Sequence, residues 1–121
     1  MREGIHPGPS QRCLKVGEEV RRLLAAIFQN YFFEDRSVSG AAITVTEVQM
    51  SPDLRHAKVF LMPLGGASKE RVLKAIQEES GKIRHLLSKK IYLRCVPMLD
   101  FRVDETFDAY AAMSSTLDQA R

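Results

Sequence analysis

The sequence predicts a small α+β domain in which helices back one β-sheet, with the element order α-β-β-α-α-β. Two observations predict this class: helical stripes of apolar residues alternate with short runs of period two, and a polar turn joins two of those runs into a hairpin. The 121 residues, 45% hydrophobic and 27% charged, suffice for one domain and exclude wholesale disorder. No stretch approaches the ~20 apolar residues of a membrane span, and the N-terminus lacks the apolar core of a secretory signal. We therefore expect a soluble, cytoplasmic protein without a membrane partner.

The first helix is predicted to begin after Ser10, which is a suitable N-cap. Residues 1–10 contain two prolines and two glycines without periodicity, so we expect a flexible N-terminal arm there. The helix, about 20 residues long, is defined by apolar residues at i, i+3 and i+4 spacing. These residues are Cys13, Val16, Val20, Leu23, Leu24, Ile27, Phe28 and Tyr31.

A β-hairpin is predicted next. Residues 41–50 are rich in β-branched side chains, and their apolar positions change parity near Thr46 and Glu47, which indicates a β-bulge. A Ser-Pro-Asp turn ends this strand, and the alternation resumes at His56. Residues 63–67, with one proline and two glycines, are predicted to form a loop.

Two helices and a last strand complete the predicted order. Ser68 is expected to cap the second helix. Because glycine costs about 1 kcal/mol relative to alanine inside a helix, we expect a kink or tight turn at Ser80 and Gly81. Residues 91–103 alternate with one parity and predict a strand, with a bulge or a sheet edge at Pro97. A weaker pattern predicts a short C-terminal helix containing Phe107, Tyr110, Ala111 and Leu117.

Positive charge is concentrated in one segment. The net charge is only +3, but residues 69–94 carry eight basic and three acidic side chains, a local excess of +5. No acidic residue lies between Lys82 and Arg94. At 100° per residue, Lys82, His85 and Lys89 fall within about 60° of one another on the third helix. Such an excess attracts polyanions, although a solvated helix face is the alternative interpretation.

An anion site is predicted at the start of the third helix. Lys82 and Arg84 lie in its first turn, where the helix dipole disfavours cations. A phosphate bound at Ser80 and Gly81 would relieve that conflict by using backbone N–H groups. Pairing of Lys82 with Glu78 in the favourable i, i+4 order is the alternative explanation.

Catalytic motifs are absent from the sequence. It contains no phosphate-binding loop, dinucleotide fingerprint, nucleophile elbow or zinc-protease motif. No serine or cysteine stands at a recognised spacing from His6, His56 or His85. Cys13 and Cys95 have no metal-ligand spacing and are expected to be reduced thiols that pack as small hydrophobic residues. We expect a protein that is not an enzyme and that needs neither a cofactor nor a metal.

The hairpin sequence is the most specific motif in the chain. Residues 45–60 read Val-Thr-Glu-Val-Gln-Met-Ser-Pro-Asp-Leu-Arg-His-Ala-Lys-Val-Phe. Together with residues 81–84 and 93–101, they resemble the pattern of the bacterial ribosome-binding factor A family. The resemblance covers roughly residues 11–117. It implies a type-II KH-like domain whose helix–kink–helix lacks the GxxG loop that clamps RNA in other KH domains.

The resemblance also implies a function and a set of contacts. Members of this family are non-catalytic assembly factors that bind the free or immature 30S subunit and assist late 16S rRNA maturation. They are associated with growth in the cold and are released with the help of an assembly GTPase. We expect a monomer with a short tail at residues 118–121. The predicted rRNA-binding residues are Ser80, Gly81, Lys82, Arg84, His85, Lys89, Lys90 and Arg94. Additional candidate contacts are Arg12, Lys15, Arg55 and Lys58. Glu79 stands where the family usually has alanine.

The sequence leaves two other functions open. A general single-stranded RNA-binding protein is disfavoured by the missing GxxG and by the scarcity of aromatic side chains, of which Phe60, Tyr92 and Tyr110 are the exposed candidates. A protein-interaction module would use an apolar patch formed by Phe60, Met62 and Met98.

Overall fold

The structure is a computed structural model that describes residues 10–36, 38, 42–64 and 68–104. Residues 1–9 of the predicted arm, the predicted C-terminal helix and the tail lie outside the described residues. Within them the order α-β-β-α-α-β is confirmed. No described helix is long and apolar enough to cross a membrane. The elements are α1 Gln11–Gln29, β1 Ala42–Met50, β2 His56–Leu64, α2 Lys69–Glu78, α3 Ser80–Ser88 and β3 Met98–Val103.

Helix α1 begins where its sequence predicts and packs closely on the sheet. The Ser10 side chain accepts a hydrogen bond from the Cys13 N–H at 3.1 Å, which confirms the N-cap. At Gly17 the helix comes so near to β1 that a Cβ atom would lie 2.8 Å from the Val48 carbonyl oxygen. The buried apolar side of α1 consists of Cys13, Val20, Leu24, Ile27 and Phe28.

The three strands form one sheet in the order β1-β2-β3. Strands β1 and β2 are antiparallel, whereas β2 and β3 are parallel. The register shifts between Val45 and Glu47, which confirms the predicted bulge. At this bulge the Thr46 hydroxyl lies 2.6 Å from the Asp104 carboxylate, so a residue just past β3 stabilises the irregular part of β1. The helices cover the face of the sheet that presents Val59, Leu61 and Phe101 to the core.

The strand bounds predicted near Pro63 and Pro97 differ from those of the structure. The loop predicted from residue 63 begins later, because β2 continues through Pro63, which pairs with Ile43. Pro63 lies beyond Leu61, the last β2 residue that pairs with β3, so its missing N–H removes no bond to that strand. The strand predicted over residues 91–103 is wrong for residues 91–97. Strand β3 starts directly after Pro97, since the proline supplies no ladder donor.

Two further predictions needed correction. The break between α2 and α3 lies at Glu79 (φ −105°, ψ 17°), one residue before the predicted kink, and Ser80 and Gly81 belong to the first turn of α3. The expectation that both thiols pack as small hydrophobic residues holds only for Cys13, because Cys95 is exposed. Cys95 lies in the irregular segment before β3, where no alternation directs it inward.

Candidate nucleic-acid interface

Helix α3 and the segment after it carry the predicted cations at the surface. Helix α3 ends at Ser88, Lys89 is its C-cap, and Lys90 lies in the following turn. The carbonyl end of a helix carries partial negative charge, which favours cations at these two positions. We use the name basic surface for the exposed residues Lys82, His85, Lys89, Lys90 and Arg94.

Two grooves flank the exposed side of α3, and Gly81 and His85 border both. The first groove lies between α3 and the segment that follows α1. The second lies between α3 and the segment that precedes β3. The first is lined in addition by Tyr31, Phe32, Lys82 and Leu86. The second is lined in addition by Arg84, Ser88, Cys95 and Val96.

Lys82 forms an ion pair with Glu34. The alternative explanation from the sequence, an i, i+4 pair of Lys82 with Glu78, is therefore not what the structure shows. The hydrogen bond between them raises the pKa of Lys82 and lowers the pKa of Glu34. Both side chains are well exposed, so the pair contributes little to stability. It does partly neutralise Lys82. Among the described residues, no carboxylate pairs in this way with the cations farther along the basic surface.

Arg84 has a structural role that its sequence position did not indicate. Its side chain is half-buried. Its Nε donates to the Pro97 carbonyl at 3.0 Å, and one Nη donates to the Val96 carbonyl at 2.7 Å. Through these two bonds, the planar guanidinium holds the segment before β3, which contains Arg94, against α3. Two of the donors expected to bind phosphate are already used.

Replacing Arg84 with lysine is expected to lower the free energy of unfolding by about 1 kcal/mol. Lysine keeps the charge but cannot donate to two neighbouring carbonyl groups with fork geometry, so one acceptor loses its partner. Chemical denaturation of Arg84→Lys beside Lys89→Arg, which changes an exposed cation without such bonds, measures the difference. Equal stability of the two variants would contradict this role.

Glu79 ties the junction between α2 and α3 to the end of α1. Its side chain is only 8% exposed. Its carboxylate accepts hydrogen bonds from the Tyr31 hydroxyl at 2.7 Å and from the Glu34 N–H at 3.0 Å. The buried charge is therefore satisfied, but it stands beside the first turn of α3. Glu79 and Glu34 together disfavour a phosphate at Ser80, so the cations farther along α3 are better placed to bind one.

The Tyr31 hydroxyl makes the stability of the fold sensitive to alkaline pH. Burial raises the pKa of Tyr31, and its hydrogen bond to the Glu79 carboxylate raises it further. An unfolded tyrosine has a pKa of about 10, so the stability contributed by this group is complete below about pH 10 and is lost as the pH rises toward the folded-state value. Between about pH 10 and pH 11, the native chain should lose up to about 1 kcal/mol more than Tyr31→Phe. Denaturation across this range tests the difference, and parallel curves would contradict it.

The additional candidate contacts lie outside both grooves. Arg12 and Lys15 are exposed on α1, and Arg55 and Lys58 are exposed at the hairpin end of β2. The thiol of Cys13 lies 3.6 Å from the carbonyl oxygen of the hairpin-turn residue Ser51, so the start of α1 and the turn share one end of the domain. None of these four cations lines either groove beside α3.

The three-residue apolar patch of the alternative interpretation does not form, and an aromatic residue that the sequence did not single out is exposed. Met62 is only 5% exposed and cannot contribute to a patch with Phe60 and Met98. Phe32, in contrast, is 84% exposed. The run of three aromatic residues after α1 did not reveal which side chain points outward. In an extended segment, successive side chains point to opposite sides, so a buried Phe33 places Phe32 outward, and this alternation is the signal that could have identified Phe32.

The comparisons with known proteins agree with one another. A family model described as Ribosome-binding factor A matches residues 12–117. The chain is 44% identical over 118 residues to Ribosome-binding factor A of Paramagnetospirillum magneticum, covering 98% of this chain and 82% of that protein. It is 43% identical over 114 residues to the protein of the same name from Phenylobacterium zucineum, covering 94% and 79%.

Solved structures of proteins with this name share the fold. The crystal structure of ribosome-binding factor A from Thermus thermophilus superposes with a TM-score of 0.65 at 21% identity, covering 75% of this chain and 93% of that one. A Thermus thermophilus homology model fitted into the cryo-EM map of a 30S–RbfA complex gives a TM-score of 0.61 at 22% identity, covering 74% and 92%. The α+β fold is confirmed, and the KH-like topology is consistent with these neighbours.

Proposed function

The chain belongs to the ribosome-binding factor A family, and on this premise we propose that it binds the free small ribosomal subunit and assists late 16S rRNA maturation without catalysis. The observation that carries the proposal is the basic surface, whose cations follow one another without an acidic residue from position 80 to position 99. Phosphate contacts supply most of the affinity of such surfaces for nucleic acid.

Binding energy is sufficient for this function. Structured rRNA is recognised largely by its shape and by its phosphates, which suits a rigid domain with cations on one face. If the protein binds an assembly intermediate more tightly than the finished subunit, it shifts the maturation equilibrium by that difference in affinity. The fitting of a structurally similar protein into a 30S complex supports the same partner.

The proposal also includes the cellular setting that the family resemblance implies. The protein would act in the cytoplasm as a monomer, would matter for growth in the cold, and would be released as the subunit matures with the help of an assembly GTPase.

Sedimentation of cell extract tests the proposal. We expect the protein to co-sediment with free small subunits and to be absent from translating ribosomes. An even distribution over both fractions, or no co-sedimentation, would contradict it. Competition with short unstructured oligoribonucleotides tests general single-stranded RNA binding. We expect them to displace the protein from subunits poorly, because the chain has no GxxG clamp.

A further inference from the structure

The groove between α3 and the end of α1 contains an exposed aromatic ring beside two basic side chains. Phe32 is 84% exposed and lines this groove with Lys82, His85 and Leu86. An exposed phenylalanine contributes nothing to the core. Its neighbours in the groove are therefore the best guide to what it contacts.

Phe32 is held between two residues that are anchored to the domain. On one side the Tyr31 hydroxyl donates to the buried Glu79 carboxylate at 2.7 Å. On the other side Phe33 is only 7% exposed, and its ring centroid lies 4.8 Å from that of Tyr31 and 6.5 Å from that of Phe28. The backbone of Phe32 is thus fixed before any partner binds. A ligand that covers the ring therefore fixes only the two side-chain torsions of Phe32, so little conformational entropy is lost on binding.

The chemistry of the groove fits a nucleobase better than a phosphate. Phe32 and Leu86 give it an apolar wall, and the charge of Lys82 is partly neutralised by Glu34. An uncharged base can stack on an exposed aromatic ring without requiring a free cation. The phosphates beside such a base would meet His85 and Lys89, which lie one helical turn apart on the same side of α3.

We propose that Phe32 is a stacking platform for one unpaired base of the bound rRNA. This inference rests on the proposed function and adds to it the kind of nucleotide that the first groove accepts. It differs from the phosphate contacts of the basic surface, because stacking is not an ionic contact.

Three variants test the stacking. Phe32→Ala removes the ring, Phe32→Tyr keeps it, and Leu14→Ala shortens an exposed apolar side chain on α1, far along the sequence from the groove. Affinity for purified small subunits is measured at several salt concentrations. We expect Phe32→Ala to bind about tenfold more weakly with an unchanged salt dependence. Phe32→Tyr and Leu14→Ala should bind like the native chain.

Chemical probing of rRNA bases in the same complexes locates the contact. With dimethyl sulfate as the probe, the native chain should alter the reactivity of one or a few unpaired bases. Phe32→Ala should lose the reactivity change at the stacked base and should keep every other change that the native chain causes. Thermal melting of each variant checks that the fold is intact. We expect unchanged melting temperatures, because Phe32 and Leu14 are both exposed.

Several outcomes would overturn the inference while leaving the proposed function in place. One is native affinity of Phe32→Ala for small subunits. Another is weaker binding with an unchanged rRNA reactivity pattern, which would assign Phe32 to a ribosomal protein. A changed salt dependence would mean that Phe32 acts on the phosphate contacts. Failure of the native chain to bind small subunits would instead overturn the proposed function itself.

Discussion

Replacing Gly17 with alanine is expected to lower the free energy of unfolding by about 2 kcal/mol, which corresponds to a melting temperature roughly 8 °C lower. The new Cβ atom would lie 2.8 Å from the Val48 carbonyl oxygen, a backbone atom fixed within β1. Because that oxygen cannot move alone, α1 must shift off the sheet. In a helix without this contact, alanine would be favoured over glycine by about 1 kcal/mol.

Gly81→Ala is the matched control. Gly81 is also helical, but a Cβ atom built on it meets nothing within 4 Å. Alanine at position 81 should therefore leave stability unchanged or raise it by up to about 1 kcal/mol. Chemical denaturation of both variants measures the contrast. Equal stability of the two would show that the approach of α1 to β1 is not a close backbone contact.

Reversing two charges at the end of α3 should have the largest effect on binding. Lys89→Glu combined with Lys90→Glu is expected to weaken binding to small subunits at least roughly 50-fold at about 0.1 M salt. Each lost phosphate contact forgoes the release of about one counterion, and the introduced carboxylates add repulsion. Both side chains are exposed, so the fold should remain intact.

The control for this variant carries the same change in net charge at another place. Arg22 on α1 and Lys74 on α2 are exposed and line neither groove beside α3. Their double replacement by glutamate should weaken binding only a few-fold, through the overall charge. Equilibrium titration of labelled protein with small subunits measures both variants. Equal losses would mean that net charge alone attracts the protein.

Local signals were sufficient to predict most of the elements. Ser10 and Ser68 cap helices through their own side chains, and the bulge after Val45 shows as a change of parity. Each of these features depends on residues within a few positions. The start of β3 was predictable in part, because Pro97 interrupts the alternation without telling whether the strand stops or bulges.

The contacts that organise the site depend on distant residues and could not be predicted in the same way. Glu79 meets Tyr31, which lies 48 positions earlier in the chain, and Lys82 meets Glu34 at the same separation. Arg84 has the positive charge and the hydrogen-bond donors of a phosphate ligand. In the folded chain, however, it donates to the carbonyl groups just before β3. A cation in a sequence indicates charge, whereas its hydrogen-bond partners follow from the tertiary fold.

The salt dependence of binding to purified small subunits tests the central claim most directly. The logarithm of the association constant is plotted against the logarithm of the salt concentration for the native chain and for the triple alanine variant of Lys89, Lys90 and Arg94. We expect a steep negative slope for the native chain and a slope smaller by about 2 to 3 for the variant, near one for each lost phosphate contact. Identical slopes would contradict the assignment of the basic surface to rRNA.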